Sequence, residues 1–405
     1  MKGEAGRPPR RSGSGRLLLL GGGHAHLFVL EALARRRIIA GDVTVVAPHA
    51  LQIYSSMVPG YLEGRYTLEE VTIDLRALTR RIGGQFREAA VERIDGSVRR
   101  VLLDDATSLP YDVASVAIGG VAAGLNIPGA RAHARFIKPV AQARELPATL
   151  DRAAESAGPE PLQMVVVGAG ATGVEVALAV RARLDRLGAN RAIISLLDSS
   201  HTVLRDRSPA AQEEAERVLR WGEITLRLST AVEEVGPNHV RVTGGRIIPT
   251  DLVIWTTGTE APPVFRASGL PTDSRGFLMV DDDLAVGGCP GLFGAGDAVS
   301  FTTHPRAPKA GVDAVRQGPV LAHNLGIALR GADEDRRRGA PVARSYTPPS
   351  RSLALLNTGD GRAIFSYAGF AITARWAMTL KHLLDRRFLR RFQRLRAATT
   401  LRAAS

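Results

Sequence analysis

Cysteine is nearly absent. The single Cys289 in 405 residues excludes a disulfide framework within one chain, and with it any redox-active cysteine pair. Long hydrophobic runs are missing as well. Leu17 to Leu20 is only four residues before three glycines, far short of the ~20 apolar residues that span a bilayer. Nothing at the N-terminus resembles the apolar core of a secretory signal, so the expected compartment is the cytoplasm. Lysine is scarce: Lys2, Lys138, Lys309 and Lys381 are four of 53 basic residues, an arginine excess that partly reflects the source's codon bias. The net charge of +13 is not spread over the chain. Residues 1–16 carry five basic side chains against Glu4, residues 370–405 carry nine against Asp385, and the body between is nearly neutral. A nucleic-acid enzyme would carry such an excess around its cleft, so no nucleic-acid partner is expected. Apolar residues, at 45%, are ample, enough for two or three cores and more than one domain.

Those cores are written as a repeat. Arg16 to Leu20 reads as a buried strand stopped by Gly21-Gly22-Gly23, followed by a helix with Leu27, Leu30, Leu33 and Ala34 on one face and then the strand Val43–Val46. Met164–Val167, Gly168-Ala169-Gly170-Ala171-Thr172-Gly173, a helix over 174–187 and the strand from Ile193 to Asp198 repeat the pattern. Asp112–Gly120 and Asp251–Gly258 are matching Asp-led strands that end in glycine. The expected fold is α/β: two Rossmann-like dinucleotide-binding domains, the second inserted in the first, with a C-terminal appendage carrying an amphipathic helix. The expected boundaries are a flexible basic tail over 1–15, the first domain over 16–140, the second over 141–262, the return of the first over 263–335, and strands plus the helix over 336–405.

Glycine turns between a strand and a helix suit a pyrophosphate, because the backbone approaches closely and the helix end offers amides. Gly168-x-Gly170-x-x-Gly173 is complete. Asp198, at the tip of the returning strand, either binds both ribose hydroxyls, favouring NADH over NADPH, or is a solvated strand end. Gly21-x-Gly23 has His26 at its third position, and no acid follows Val46. Glu175, expected in the first turn of the second helix, is either a favourable acid near a helix N-terminus or a carboxylate facing the nicotinamide. In Gly294-Ala295-Gly296-Asp297 the carboxylate can bind a sugar-alcohol hydroxyl. The helix that follows, expected to begin at Lys309, would aim its positive end at a flavin ring. His24 and His26 have no metal-like partners, so packing near the first turn is expected and no metal.

This ordered set resembles the two-dinucleotide flavoproteins called pyridine nucleotide-disulfide oxidoreductases, over residues 16–330. Within them it is most similar to the cysteine-poor branch of type II NADH dehydrogenases and to the flavoprotein module fused to selenide, water dikinase. That similarity rests on Gly21-Gly22-Gly23-His24-Ala25-His26, Tyr54-Ser55-Ser56-Met57-Val58-Pro59-Gly60, Pro308-Lys309-Ala310-Gly311-Val312 with Arg316-Gln317-Gly318, and Asp385-Arg386-Arg387-Phe388. The resemblance implies FAD in the first domain, NADH in the second, hydride transfer to the flavin N5 and electrons passing to a quinone-like acceptor without redox cysteines. It implies cofactor contacts from Gly21, Gly22, Gly23, His24, Ala25, Tyr54, Ser55, Gly119, Gly296, Asp297 and Ala310 on the flavin side. On the nicotinamide side it implies Gly168, Gly170, Thr172, Gly173, Asp198 and Gly258, with Lys309 and Glu175 as catalytic candidates. Tyr54 and Ser55 could instead be a packed loop, and Lys309 a solvated side chain. The glutamines that line the quinone pocket in type II enzymes are Val312 and Arg316 here, with only Gln317 retained.

From Trp376 the apolar positions 376, 380, 383, 384, 388, 392 and 395 have helical spacing among arginines. Such a helix over 370–405 can lie on an anionic bilayer, placing the protein at the inner face of the cell membrane. It can also pack on the body or on a second copy in a homodimer. Two rival functions stay open: an NADH-dependent reductase of a soluble electron carrier, and a flavin- and NADH-responsive interaction protein.

Overall fold

A computed structural model describes residues 15–156, 158–330 and 342–397. The expected tail, apart from Gly15, lies outside the described residues, as do residues 336–341 of the C-terminal segment and everything after 397.

Short apolar runs buried on both faces make the central strands, as parallel sheets covered by helices require. The first sheet has the order Leu292–Gly294, Val113–Val116, Arg16–Leu20, Asp42–Ala47, Gln85–Glu88, with every pair parallel. The second has the order Ala134–Phe136, Leu252–Trp255, Gln163–Val167, Ile193–Leu197, Ile224–Arg227, again all parallel. Three-stranded antiparallel meanders accompany them, over 91–110 and 232–249.

The two units are built from the same hydrogen bonds. Asp112 accepts the Arg16 amide at 2.7 Å, and Asp251 accepts the Gln163 amide at 2.8 Å. The leading acid of each Asp-led strand therefore satisfies the first amide of the neighbouring strand. Gly21 N donates to Val46 O and Gly168 N to Leu197 O, both at 2.7 Å.

The second unit is inserted in the first: Leu292–Gly294 completes the first sheet only after the second has been built. Ala134–Phe136, which precedes the expected boundary at 140/141, pairs in the second sheet. Val121–Ala122 and Thr259–Glu260, the outgoing and returning crossings, pair antiparallel with each other.

Four helices position the site: α1 (His24–Ala34), α2 (Ala171–Arg186), α3 (Gly311–Arg330) and α4 (Arg375–Ala397). Gly318 of α3 lets Phe28 of α1 approach, since a Cβ there would sit 2.4 Å from the ring. An antiparallel sheet of Ala354–Asn357, Ala363–Tyr367 and Phe370–Ala374 leads into α4. The expected apolar stripe of α4 is divided. Phe388, Phe392 and Leu395 pack on the body, whereas Trp376 and Leu383 are 51% and 62% exposed, with Leu384 exposed beside them. Ala377, Lys381, Asp385, Leu389 and Phe392 form the inward row at i, i+4 and i, i+3 spacing, which turns part of the predicted stripe to solvent.

Candidate active site

Each glycine turn brings backbone where no side chain fits. A Cβ on Gly21 (φ +96°) or Gly23 would stand 2.4 or 2.5 Å from Ala117 O, and one on Gly22 would meet Leu75. The N-cap residues of α1 and α2 are Gly23 and Gly170, which have no side chain to cap the first-turn amides. Ala25 is buried under the first turn, and Gly119 (φ +74°) lies just past the end of the neighbouring strand. His26, in place of the third glycine, holds this turn through its ring: Nδ1 lies 2.7 Å from Gly21 O and Nε2 2.9 Å from Ser115 Oγ. Burial pushes His26 down to about 4, and pushes His24 down to the same value. His24 keeps a buried Nε2 with no partner and packs its ring against Tyr54 and Phe388.

The Gly-Asp turn faces that first turn. Gly296 (φ +78°) donates its amide to Gln317 Oε1 at 2.6 Å, so the one retained glutamine supports the turn. Asp297 Oδ2 accepts from Lys138 Nζ at 3.0 Å, and Lys138 also donates to Thr259 Oγ1. The helix expected to begin at Lys309 is α3, which starts at Gly311. One 3-10 turn, Gly296–Ala298, and the strand Val299–Phe301 intervene before α3, because the chain must pair with Leu278–Val280 first. Lys309 and Ala310 immediately precede α3, and Ala310 O accepts the Asp313 amide at 2.9 Å. The Lys309 ammonium donates to Val299 O and lies 4.3 Å from the Phe277 ring centroid. Burial pushes it down to about 8. Lys309, Asp297, Asp313, Gln317 and Tyr346 line one cavity. The Asp313 carboxyl, raised by burial, accepts from Tyr346 Oη at 3.2 Å.

In the second turn a Cβ on Gly173 would lie 1.6 Å from Gly168 O, while one on Gly170 would meet nothing within 4 Å. That open edge, with exposed Thr172 beside it, is where a ligand can approach. Asp198 Oδ2 accepts the Ala169 amide at 2.6 Å, and Oδ1 accepts Ser200 N and Oγ at 2.7 and 2.6 Å. The carboxylate is thus fixed against the glycine turn. Gly258, with open space around it, accepts the Ala123 amide in the crossing between units.

Glu175 stands elsewhere than expected. The helix begins at Ala171, so Glu175 is past the first turn, and no acid lies in that turn. It is buried, with Oε1 accepting the Asn357 amide at 2.8 Å and standing 3.7 Å from Lys381 Nζ. Lys381 donates to Ser56 O and Oγ at 2.9 Å and lies 3.5 Å from Asp385. Asp385 in turn accepts from Ser56 Oγ at 2.9 Å. Asn357 Nδ2 donates to buried Glu63, which Arg65 pairs. Burial raises the Glu175 carboxyl, opposed by Lys381. Above this network Tyr54 stacks on Phe388, centroids 4.5 Å apart and planes at 18°. Ser55 lies against the start of α3, its Oγ 3.2 Å from a Cβ built on Gly311.

Sequence reasoning did not single out Lys138, Lys381, Asp385, Ser56 or Asn357 as site residues. A signal for two of them was present: in an arginine-rich chain, Lys138 pairs with Asp297 and Lys381 with Glu175 and Asp385.

The residues present fit two dinucleotides. Each turn is tight where glycine packs against the chain's own atoms, the second is open at Gly170, each leads into a helix whose N-cap is glycine, and Asp297 and Asp198 stand near them. The comparisons agree. A family model for pyridine nucleotide-disulphide oxidoreductases matches residues 15–318. Demethylphylloquinone reductase NdbB of Synechocystis sp. is 26% identical over 381 residues, covering 91% of each chain. Type II NADH:quinone oxidoreductase NdhA of Mycobacterium tuberculosis is 26% identical over 82% of this chain and 76% of its own. Among solved structures, NDH2 from Plasmodium falciparum in complex with NADH superposes with a TM-score of 0.79 at 14% identity, over 96% of this chain and 98% of that one. The family model spans both glycine turns, the Asp-led strands and the Gly-Asp turn, and this chain belongs to the pyridine nucleotide-disulphide oxidoreductase family.

Proposed function

We propose that the protein is an FAD-dependent NADH dehydrogenase that passes electrons to a quinone-like acceptor. The observation that carries this reading is the pairing of two glycine cradles of the same build, joined at one seam, in a chain whose lone cysteine excludes an intramolecular dithiol relay. When bound, the flavin supplies the hydride acceptor and the store of two electrons.

The chain's own residues bind and orient. Gly168, Gly170 and Gly173 with the α2 amides hold the NADH pyrophosphate, and Asp198 stands at the adjoining ribose. Gly21, Gly22 and Gly23 do the same for the FAD pyrophosphate, and Asp297 takes a ribityl hydroxyl. Tyr54, Phe388 and His24 form an aromatic wall suited to a flat acceptor ring, excluding water from it. Beneath it Lys381, Glu175 and Asp385 hold protons close to where a reduced quinone needs them. Two relatives whose names include quinone reduction support this choice of acceptor.

The acceptor is met at a membrane surface. No helix among the described residues is long and apolar enough to cross one. Exposed Trp376, Leu383, Leu384, Phe370 and Ile372, with Arg387 and Arg390 nearby in α4, instead suit peripheral contact with anionic lipid, each well-placed cation contributing about 1 kcal/mol.

Anaerobic titration tests the reading. One equivalent of NADH should bleach the bound flavin's visible absorbance, and a short-chain quinone should restore it. An oxidised spectrum that NADH leaves unchanged would reject the dehydrogenase.

A further inference from the structure

We infer that Lys138 is a positioning residue for the flavin, fixing the Asp297 carboxylate across the seam between the two dinucleotide units. The inference rests on the FAD reading above. Lys138 follows Ala134–Phe136, the edge strand of the second sheet. Asp297 belongs to the first unit, and Thr259 begins the returning crossing. The Lys138 ammonium donates to Asp297 Oδ2 at 3.0 Å and to Thr259 Oγ1, so one cation ties three segments that meet only because one unit is inserted in the other.

The pair is partly withdrawn from water, with side chains 27% and 18% exposed. It therefore counts for more than a solvated surface pair. Among the described residues, Lys138 is the cation in ion-pair contact with Asp297. Lys309, which lines the same cavity, is turned instead to Val299 O and the Phe277 ring. The Asp313 carboxyl also lines that cavity, so Asp297 faces a like group there as well as its cation. With Oδ2 held by Lys138, Oδ1 is presented to a ribityl hydroxyl in a set direction, which is preorganisation for binding. A compact ammonium with three donors can serve a carboxylate and a hydroxyl together, where a planar guanidinium fork demands a different geometry. That accounts for a lysine here in a chain with four lysines among 53 basic residues.

The test uses the full chain, stripped of flavin and titrated with FAD by fluorescence quenching, as wild type, Lys138→Met, Lys138→Arg, Asp297→Asn and the Met/Asn double variant. Lys138→Met should weaken FAD binding about tenfold to a hundredfold, the range for a charged hydrogen bond. The double variant should bind no more weakly than Asp297→Asn, and Lys138→Arg should recover only part of the loss. The melting temperature of the flavin-free protein separates this role from a plain latch. A latch would lower it and would multiply its effect on FAD with that of Asp297→Asn. Unchanged FAD affinity in Lys138→Met, or multiplying effects, overturns the inference while leaving the enzyme reading in place. Failure of the wild type to take up FAD overturns both. Should Lys138→Met not fold, Lys138→Gln, which keeps a donor toward Thr259 without the charge, takes its place in the same cycle.

Discussion

His26 stands where a third glycine would close a phosphate turn, and it holds that turn by hydrogen bonds to Gly21 O and Ser115 Oγ instead of by close approach. Replacing it with alanine should cost about 2–3 kcal/mol in urea unfolding, since a buried hydroxyl and a carbonyl lose their partner. Both His24 and His26 are held near 4 by burial, against 6.5 when solvated. The folded state therefore keeps them neutral while the unfolded chain takes up their protons. Their contribution to stability is complete above pH 6.5 and is lost as pH falls toward 4, up to about 3 kcal/mol for each ring. Melting temperature measured from pH 7.5 to 4.5 should drop, and His26→Gln should flatten that drop while lowering stability at neutral pH. Gly170 offers the complementary case. A Cβ there meets nothing within 4 Å among the described residues, so Gly170→Ala should fold and retain full FAD content. Its KM for NADH should rise about tenfold or more, because the pyrophosphate needs that space; an unchanged KM would remove Gly170 from the nicotinamide site.

At the scale of elements, α4 does more than cover the body. Lys381 is a buried cation between two buried carboxylates, one on α2 and one on α4 itself, and it also holds the Ser56 carbonyl of the loop beside Tyr54. Lys381→Met would leave Glu175 and Asp385 buried without their cation. We expect a loss of about 3–5 kcal/mol in chemical unfolding, the range for breaking a buried pair. Lys381→Met combined with Glu175→Gln and Asp385→Asn should regain most of it, because no charge then remains to be stranded. If the triple variant is as unstable as the single one, the charges are not what Lys381 serves. The same helix supplies Phe388 to stack on Tyr54, so its position and the shape of the acceptor wall change together.

For the whole molecule, exposed apolar side chains and arginines share α4 and the strand before it. Trp376, Leu383 and Leu384 on α4 adjoin Phe370 and Ile372 of the preceding strand. Sedimentation with vesicles containing anionic lipid should carry the protein down at low salt. Leu383→Glu with Leu384→Glu should abolish this without altering flavin content or anaerobic reduction by NADH, because neither side chain is buried in the site. Binding that persists in the double variant would assign membrane contact to another surface.

Each unit's glycine turn, returning strand and Asp-led strand were legible in the sequence because their causes are local. Four-residue apolar runs must be buried on both faces, and glycine turns separate them from the helices that follow; the amides that each leading acid satisfies, 96 and 88 residues away, were not legible there. The order of these signals also determined the insertion of one unit in the other and the family. Tertiary structure alone decided which charged and polar groups meet. Lys138 finds Asp297 159 residues away, Lys381 finds Ser56 325 residues away, and Asn357 finds Glu63 294 residues away. No periodicity encodes such pairs: each forms because packed sheets and helices bring distant side chains together out of water, where an unmatched charge would be too costly to keep.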